Sequence, residues 1–231
     1  MAKHSDYTWI SLSDMMTSLM MIFLFLSVLF MYQLQKRQAE QQAMFVNYKE
    51  GKQQIYNDLN TAFASDFNNW QMTLDKDLTI KFTNPDVLFD YYSSDLTPKY
   101  TQILDEFIPK YLAIIDKPEY KDKITEIRIE GHTGESIGYM DSIKLSQNRA
   151  NNVLEYVLNS GAYGKLNDSD KAKLRFWITA NGLGYGRAID NNGEYVYNSH
   201  KDVSDNSRRV EFRIVTSSDS LVNNVINNLS K

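Results

Sequence analysis

The sequence predicts an α+β protein: a single N-terminal transmembrane helix, an amphipathic linker helix, and then a mixed β-sheet with helices packed on one face. Three observations carry that expectation. The segment from Trp9 to Tyr32 has no charge after Asp14, and at ~1.5 Å per residue it is long enough to cross a hydrocarbon core of ~30 Å. From Gln33 to Trp70 the chain contains no proline and places apolar residues at helical spacing. Beyond Met72 the periodicity changes to short alternating segments bounded by turn residues. The expected divisions are residues 1–8 as a short N-terminus, 9–32 as the membrane helix, 33–70 as the linker, 71–216 as the α+β domain and 217–231 as a tail.

The membrane segment carries one acid. A carboxylate at membrane depth costs roughly 2.5–3.5 kcal/mol on an insertion scale and persists where it has a partner or a task. At 100° per residue Ser11, Thr17 and Ser18 fall within about 60° of Asp14, so one side of this end of the helix is polar. Two readings are open: Asp14 sits in the interface and caps or snorkels, or it faces a partner helix or wet path and binds and releases an ion. No Lys or Arg lies between Lys3 and Lys36, so a charge partner within the membrane has to come from another subunit. A cleaved signal peptide is the rival for this segment. The apolar run exceeds a 7–15-residue h-region, contains Asp14 and ends in FMYQLQKRQ rather than at a small-residue cleavage site, so the helix is expected to be retained. Lys36 and Arg37 after the span, against Lys3 before it, weakly favour a cytoplasmic C-terminal side.

In the linker, Met44, Phe45, Tyr48, Ile55, Leu59, Phe63, Phe67 and Trp70 form one stripe, with Gly51 its weak point. The stripe either docks on the domain that follows or pairs two copies or plugs an ion path. MTLDKDLTIKF reads as a hairpin around Asp75–Asp77, and VLFDYYSSDLTPKYTQILDEFIPKYLAII as a strand end, a turn at Ser93 and Ser94, and a helix with Pro98 in its first turn. ITEIRIEGH is an alternating strand, LSQNRANNVLEYVLNSG a helix closed by Gly161, and FWITANGLG and RRVEFRIV two further strands. Residues 116–122, 163–173 and 187–205 read as longer loops.

Composition excludes several functions. The 231 residues carry a net charge of −4 with no basic stripe, which argues against nucleic-acid binding. With no cysteine there is no disulfide framework, Cys-type zinc site or thiol nucleophile. His4, His132 and His200 are scattered, with no HExxH and no GxSxG, and Gly182, Gly184 and Gly186 make no dinucleotide fingerprint. His132 reads as a structural loop residue. No enzyme, metal site or cofactor is expected.

WISLSDMMTSLMMIFLFL resembles the transmembrane segment of MotB-type stator subunits, and more closely that of ZorB subunits of the Zorya anti-phage system. VLFDYYSSDLTP, IEGHTGESIG, LSQNRA and NSRRVEFRI resemble, in order and spacing, the signatures of the OmpA-like peptidoglycan-binding domain over most of residues 72–215. The resemblance implies an ion-driven inner-membrane motor. Asp14, with Thr17 and Ser18, would carry H⁺ or Na⁺, and the partners would be a multi-span MotA/ZorA-like subunit, a second copy of this chain, peptidoglycan and membrane lipid. It also implies a cytoplasmic N-terminus and a periplasmic domain, against the weak charge signal; long domains translocate largely regardless of charge. In the OmpA-like domain, Arg149 matches the Arg that grips the free carboxylate of a diaminopimelate-containing peptide. Backbone N–H groups near Thr133 and Gly134 would assist it, and Arg208 belongs to the groove wall. Gly134 stands where many members have Asp, so Glu135 or Asp141 would have to supply the acid; Asp141 and Ser142 also replace a common Tyr-Asn pair. Outside the defence motor, the resemblance leaves a flagellar MotB-type stator or a passive wall anchor without ion transport.

Overall fold

The computed structural model describes residues 3–217, with the side chains of 3–14, 44, 45, 47, 48, 85 and 86 excepted. The side chain of Asp14, those of Met44, Phe45 and Tyr48 in the linker stripe, and the tail beyond Ser217 therefore lie outside the described residues. The chain forms two compact units, residues 1–47 and 48–231.

The first unit is helical. Helix α1 runs Lys3–Ala62, and within it Met15–Ala43 is long and apolar enough to cross a membrane. Leu19, Phe23 and Phe30 are exposed, as lipid-facing residues would be. Ser27 donates its hydroxyl to the Phe23 carbonyl at 2.8 Å, which satisfies a polar group that lipid could not. Thr17 and Ser18 lie on this helix, three and four residues after Asp14 and so on its side.

The second unit begins with the last turns of α1. Ile55, Leu59 and Phe63 have no exposed surface, and Phe63 stacks on Phe107 at 5.1 Å. From Ile55 to Trp70, then, the stripe docks on its own domain. The helix passes through Gly51, where a Cβ would lie 2.6 Å from the Lys123 side chain. It stops at Ala62, and residues 63–70 continue as turns stitched by Asp66 N–H to Phe63 and Trp70 N–H to Asp66.

Strands β1 (Met72–Leu74) and β2 (Thr79–Phe82) form the expected hairpin. Helices α2 (Pro85–Leu88) and α3 (Pro98–Ile115) follow, then β3 (Ile124–Gly131), α4 (Tyr139–Asn159), α5 (Gly161–Gly164), α6 (Asp168–Trp177), β4 (Ile178–Gly182), α7 (Val196–Ser199) and β5 (Val210–Thr216). The sheet order is β1-β2-β5-β3-β4, antiparallel except for the β3–β4 pair. Alternation sorts the two faces. Ile127, Ile129, Phe212 and Ile214 turn inward, where Phe107 of α3 meets Phe82 and Phe212 edge-on or tilted at about 5 Å. The other face is a charge lattice, with Glu126–Arg128 at 2.7 Å and Lys81–Asp75 at 2.6 Å. Thr97 caps α3 by accepting from Tyr100 N–H, just ahead of Pro98.

Several details depart from the sequence expectations. Val87 and Leu88, expected in a strand end, belong to α2, and the 187–205 stretch expected as loop contains α7. Helix α4 starts at Tyr139, well before LSQNRA, and Ser160 caps it, so Gly161 opens α5 instead of closing α4. The stretch expected as a loop at 163–173 contains most of α6, whose N-cap Asn167 accepts from Asp170 N–H at 2.9 Å; a polar capping sequence resembles a loop in composition. Phe176 and Trp177 end α6 and do not begin β4.

The docked linker carries a pH-sensitive tie. Hydrogen bonds from Lys117 Nζ at 2.5 Å, and secondarily from Tyr120 Oη at 2.6 Å, hold the Asp58 carboxyl below the usual carboxylate range. A depressed folded-state value means a contribution present above the ordinary carboxylate pKa of ~3.9 and lost as pH falls through the folded value. Melting curves should therefore show wild type losing Tm more steeply than Asp58→Asn below about pH 4; parallel curves would refute the assignment.

Candidate functional site: a cleft between the Phe89–Tyr92 turn and helix α4

The cleft exists because α4 lies unusually close to two strand ends. A Cβ at Gly131 would meet the Ser146 carbonyl oxygen at 2.2 Å, and one at Gly182 would meet the Gln147 nitrogen at 2.3 Å; only glycine permits that approach. Ser146 Oγ then accepts from Gly184 N–H at 2.8 Å, and Gln147 accepts from Gly182 N–H while donating to the Ala180 carbonyl. Within LSQNRA, Ser146 and Gln147 therefore fix the helix to β4. Leu145 and Arg149, one turn apart, are left to face the cleft.

Phe89, Asp90, Tyr91, Tyr92, Thr133, Gly134, Ser136, Ile137, Leu145, Arg149 and Arg208 line the cleft. The cleft has a volume of about 60 Å³, well above what a single water needs, and it opens to solvent. That size suits the end of a chain, such as a carboxylate with its α-carbon. Arg149 is 8 % exposed. Its Nε donates to the Ser93 carbonyl at 2.9 Å, and its guanidinium lies 4.7 Å from the Phe89 ring centre. No carboxylate among the described residues lies within ion-pair distance of it. Burial, and then the nearby Arg208 charge, lower its pKa to about 10, so it stays cationic at neutral pH. The buried Thr133 hydroxyl likewise has no hydrogen-bond partner among the described residues. A buried cation without a counter-ion is costly, and an incoming anion relieves that cost.

Of the residues expected from sequence, Thr133, Gly134, Arg149 and Arg208 come together here. Arg208 pairs with Asp205 at 3.1 Å on the outer wall. The Thr133 N–H is committed to the Gly184 carbonyl at 3.0 Å and so is not available to an anion. Glu135 and Asp141 are exposed and do not line the cleft; Asp141 is 3.9 Å from Lys144 in the first turn of α4. The acid in the cleft is Asp90, which sequence reasoning passed over although it stands inside the VLFDYYSSDLTP signature. Next to it Tyr92 adopts a left-handed backbone (φ 58°) and its hydroxyl donates to the Ser136 carbonyl at 3.4 Å, spanning the mouth. With Arg149 and Asp90 on its walls, the cleft presents opposite charges to a ligand that bears a carboxylate beside an ammonium.

Residues 88–200 match the model of the OmpA family. The Zorya protein ZorB of Escherichia coli ATCC 8739 is 35 % identical over 232 residues, covering 94 % of this chain and 92 % of that protein. Among solved structures, a putative MotB-like protein from Desulfovibrio vulgaris aligns with 75 % of this chain and 99 % of its own, at 20 % identity and a TM-score of 0.48. The cell wall anchor of the type VI secretion system from Pseudomonas aeruginosa aligns with 69 % and 97 %, at 15 % identity and a TM-score of 0.44. With ZorB 35 % identical along nearly the whole length of the chain, and an apolar N-terminal helix followed by an OmpA-like α+β domain, the chain belongs to the ZorB family.

Proposed function

We propose that the chain is a peptidoglycan-anchored stator subunit of an ion-driven inner-membrane motor, of the Zorya defence type. The observation that carries the wall-binding half is Arg149, a buried guanidinium that faces an open cleft with no carboxylate partner among the described residues. The reading gives that cleft the free end of a diaminopimelate-type residue, whose carboxylate meets Arg149 and whose ammonium meets Asp90. The motor half rests on a single acid in an otherwise uncharged span and on kinship with ZorB over nearly the whole length of the chain. In this reading two copies place their Asp14 helices within a multi-span partner, H⁺ or Na⁺ passes by way of Asp14, with Thr17 and Ser18 beside it, and the domain lies in the periplasm with the N-terminus inside.

Co-sedimentation of the full-length chain, in detergent, with isolated peptidoglycan sacculi tests the wall-binding half, with free diaminopimelate as competitor. Binding that the competitor relieves is expected; no binding above a non-specific control would overturn it. Gly134 offers a second handle, because a Cβ there would make only ordinary contact with Arg208, at 3.5 Å. Gly134→Asp should be accommodated and should tighten binding several-fold by adding a second acid for the ammonium, since a charge-assisted hydrogen bond contributes ~1.5 kcal/mol or more and tenfold in affinity is ~1.4 kcal/mol. Unchanged or weaker binding by that variant would place the ammonium elsewhere.

A further inference from the structure

Behind the cleft, on the sheet face away from the helices, Glu130 of β3 and Glu211 of β5 stand directly opposite each other in the antiparallel register. His132 follows two residues after Glu130 and so points to the same face. All three are buried, at 2 %, 5 % and 1 % exposure. His132 Nε2 lies 3.7 Å from one Glu211 oxygen and 4.0 Å from one Glu130 oxygen, and one ligand atom from each residue falls within 4.8 Å of the others. Neither ring nitrogen of His132 has a hydrogen-bond partner among the described residues. A neutral imidazole carries one N–H and one lone pair, so leaving both unmet in a buried site is a cost that a bound group would remove.

We infer that Glu130, His132 and Glu211 form a binding site for a divalent transition-metal ion, Zn²⁺ in preference to harder cations. One imidazole and two carboxylates are a borderline nitrogen–oxygen set of the kind Zn²⁺ accepts. Metal–ligand bonds of ~2.0–2.2 Å require the triangle to close by a few tenths of an ångström, a displacement within reach of a glutamate side chain. The imidazole is in the right state, because burial and the charges of Arg209, Arg187 and Lys81 hold its pKa well below the ordinary value, leaving it neutral with a lone pair to give. Arg209 donates from Nε at 2.5 Å to Oε1 of Glu211, the same oxygen that lies nearest His132, and so fixes the orientation of that carboxylate. Burial, and then the Glu211 charge, raise the pKa of Glu130, and a bound divalent ion would supply counter-charge beside it. The ion would tie β5 to the end of β3 and to the first residue of the loop that carries Thr133 and Gly134. It would therefore stiffen one wall of the cleft, although the site stands independently of what the cleft binds.

Full-length protein in detergent, stripped with EDTA and dialysed, is offered Zn²⁺, and separately Mn²⁺, and the retained metal is counted by mass spectrometry beside a thermal melt. One Zn²⁺ per chain and a Tm several degrees higher on reloading are expected for wild type, and less than a tenth of that occupancy for Glu130→Gln, which keeps shape and removes the ligand charge. Retention of Mn²⁺ over Zn²⁺ would overturn the stated preference. No stoichiometric ion of either kind in wild type, or equal retention by the variant, would overturn the site. Should Glu130→Gln fail to fold, the wild-type arms decide alone: a Tm that neither EDTA nor Zn²⁺ moves, with no stoichiometric ion, overturns it.

Discussion

Replacing Arg149 with alanine should remove most of the binding of the full-length chain to isolated sacculi while leaving it folded. The guanidinium is the only deeply buried charge that lines the cleft among the described residues, and it is already held in place by the Ser93 carbonyl and the Phe89 ring before any ligand arrives. Little ordering entropy is lost when an anion meets a fork fixed in this way, so the charge-assisted pair contributes close to its full ~1.5–3 kcal/mol. At ~1.4 kcal/mol per decade this is roughly a ten- to hundred-fold loss of affinity. Arg149→Lys keeps the charge and loses the planar fork, and should fall between the two. Truncation also frees the turn at Ser93, so Tm has to be read alongside; Asn152, which donates to the Ser94 carbonyl at 2.8 Å, still holds that turn from the same helix. Undiminished sacculus binding by Arg149→Ala at unchanged Tm would remove this residue from the ligand site.

Arg149 is legible through the LSQNRA resemblance while its acidic counterpart is not, and the limits of what local patterns encode explain the rest. Alternation in ITEIRIEGH and RRVEFRIV assigns each residue to a face, and the inward set Ile127, Ile129, Phe212 and Ile214 agrees with it. The same period puts Glu130, His132 and Glu211 on the outer face, but nothing in either strand says that Glu130 sits opposite Glu211. That register is a cross-strand fact, and the pairing makes three scattered residues into a cluster. The stripe Ile55, Leu59 and Phe63 shows a helical face equally well whether it docks on its own domain or on a second copy; Phe107 and the ties of Asp58 to Lys117 and Tyr120 decide between these. For the acid of the cleft the sequence points to Glu135, next to Gly134, and to Asp141, ahead of the LS pair. The fold turns both to solvent and brings in Asp90 from a turn some forty residues earlier. The closeness of α4 to Gly131 and Gly182 is a packing fact that no periodicity carries.

Asp14→Asn is expected to abolish ion-dependent function outright while membrane assembly persists. Asparagine preserves the size and hydrogen-bonding capacity of the side chain and takes away only its titration and charge, so a helix that merely anchors the domain should tolerate it; placing Asn rather than a carboxylate at membrane depth also lowers the insertion cost. An ion path has no such tolerance. A proton carrier must bind and release, a sodium site needs the negative oxygen, and from Trp9 to Tyr32 the span holds no second acid that could stand in. The polar residues on its side, Thr17 and Ser18, supply hydroxyls and cannot titrate in the working range. The measurement is ion-dependent activity of Asp14→Asn against wild type, each co-expressed with a multi-span partner subunit, with co-purification as the assembly control. Loss of activity with the complex intact identifies Asp14 as the ion carrier and the chain as part of a motor. Full activity with the complex intact leaves an OmpA-like wall anchor whose acid rests at the membrane edge, and the sacculus-binding results on Arg149 would then describe the whole of its function.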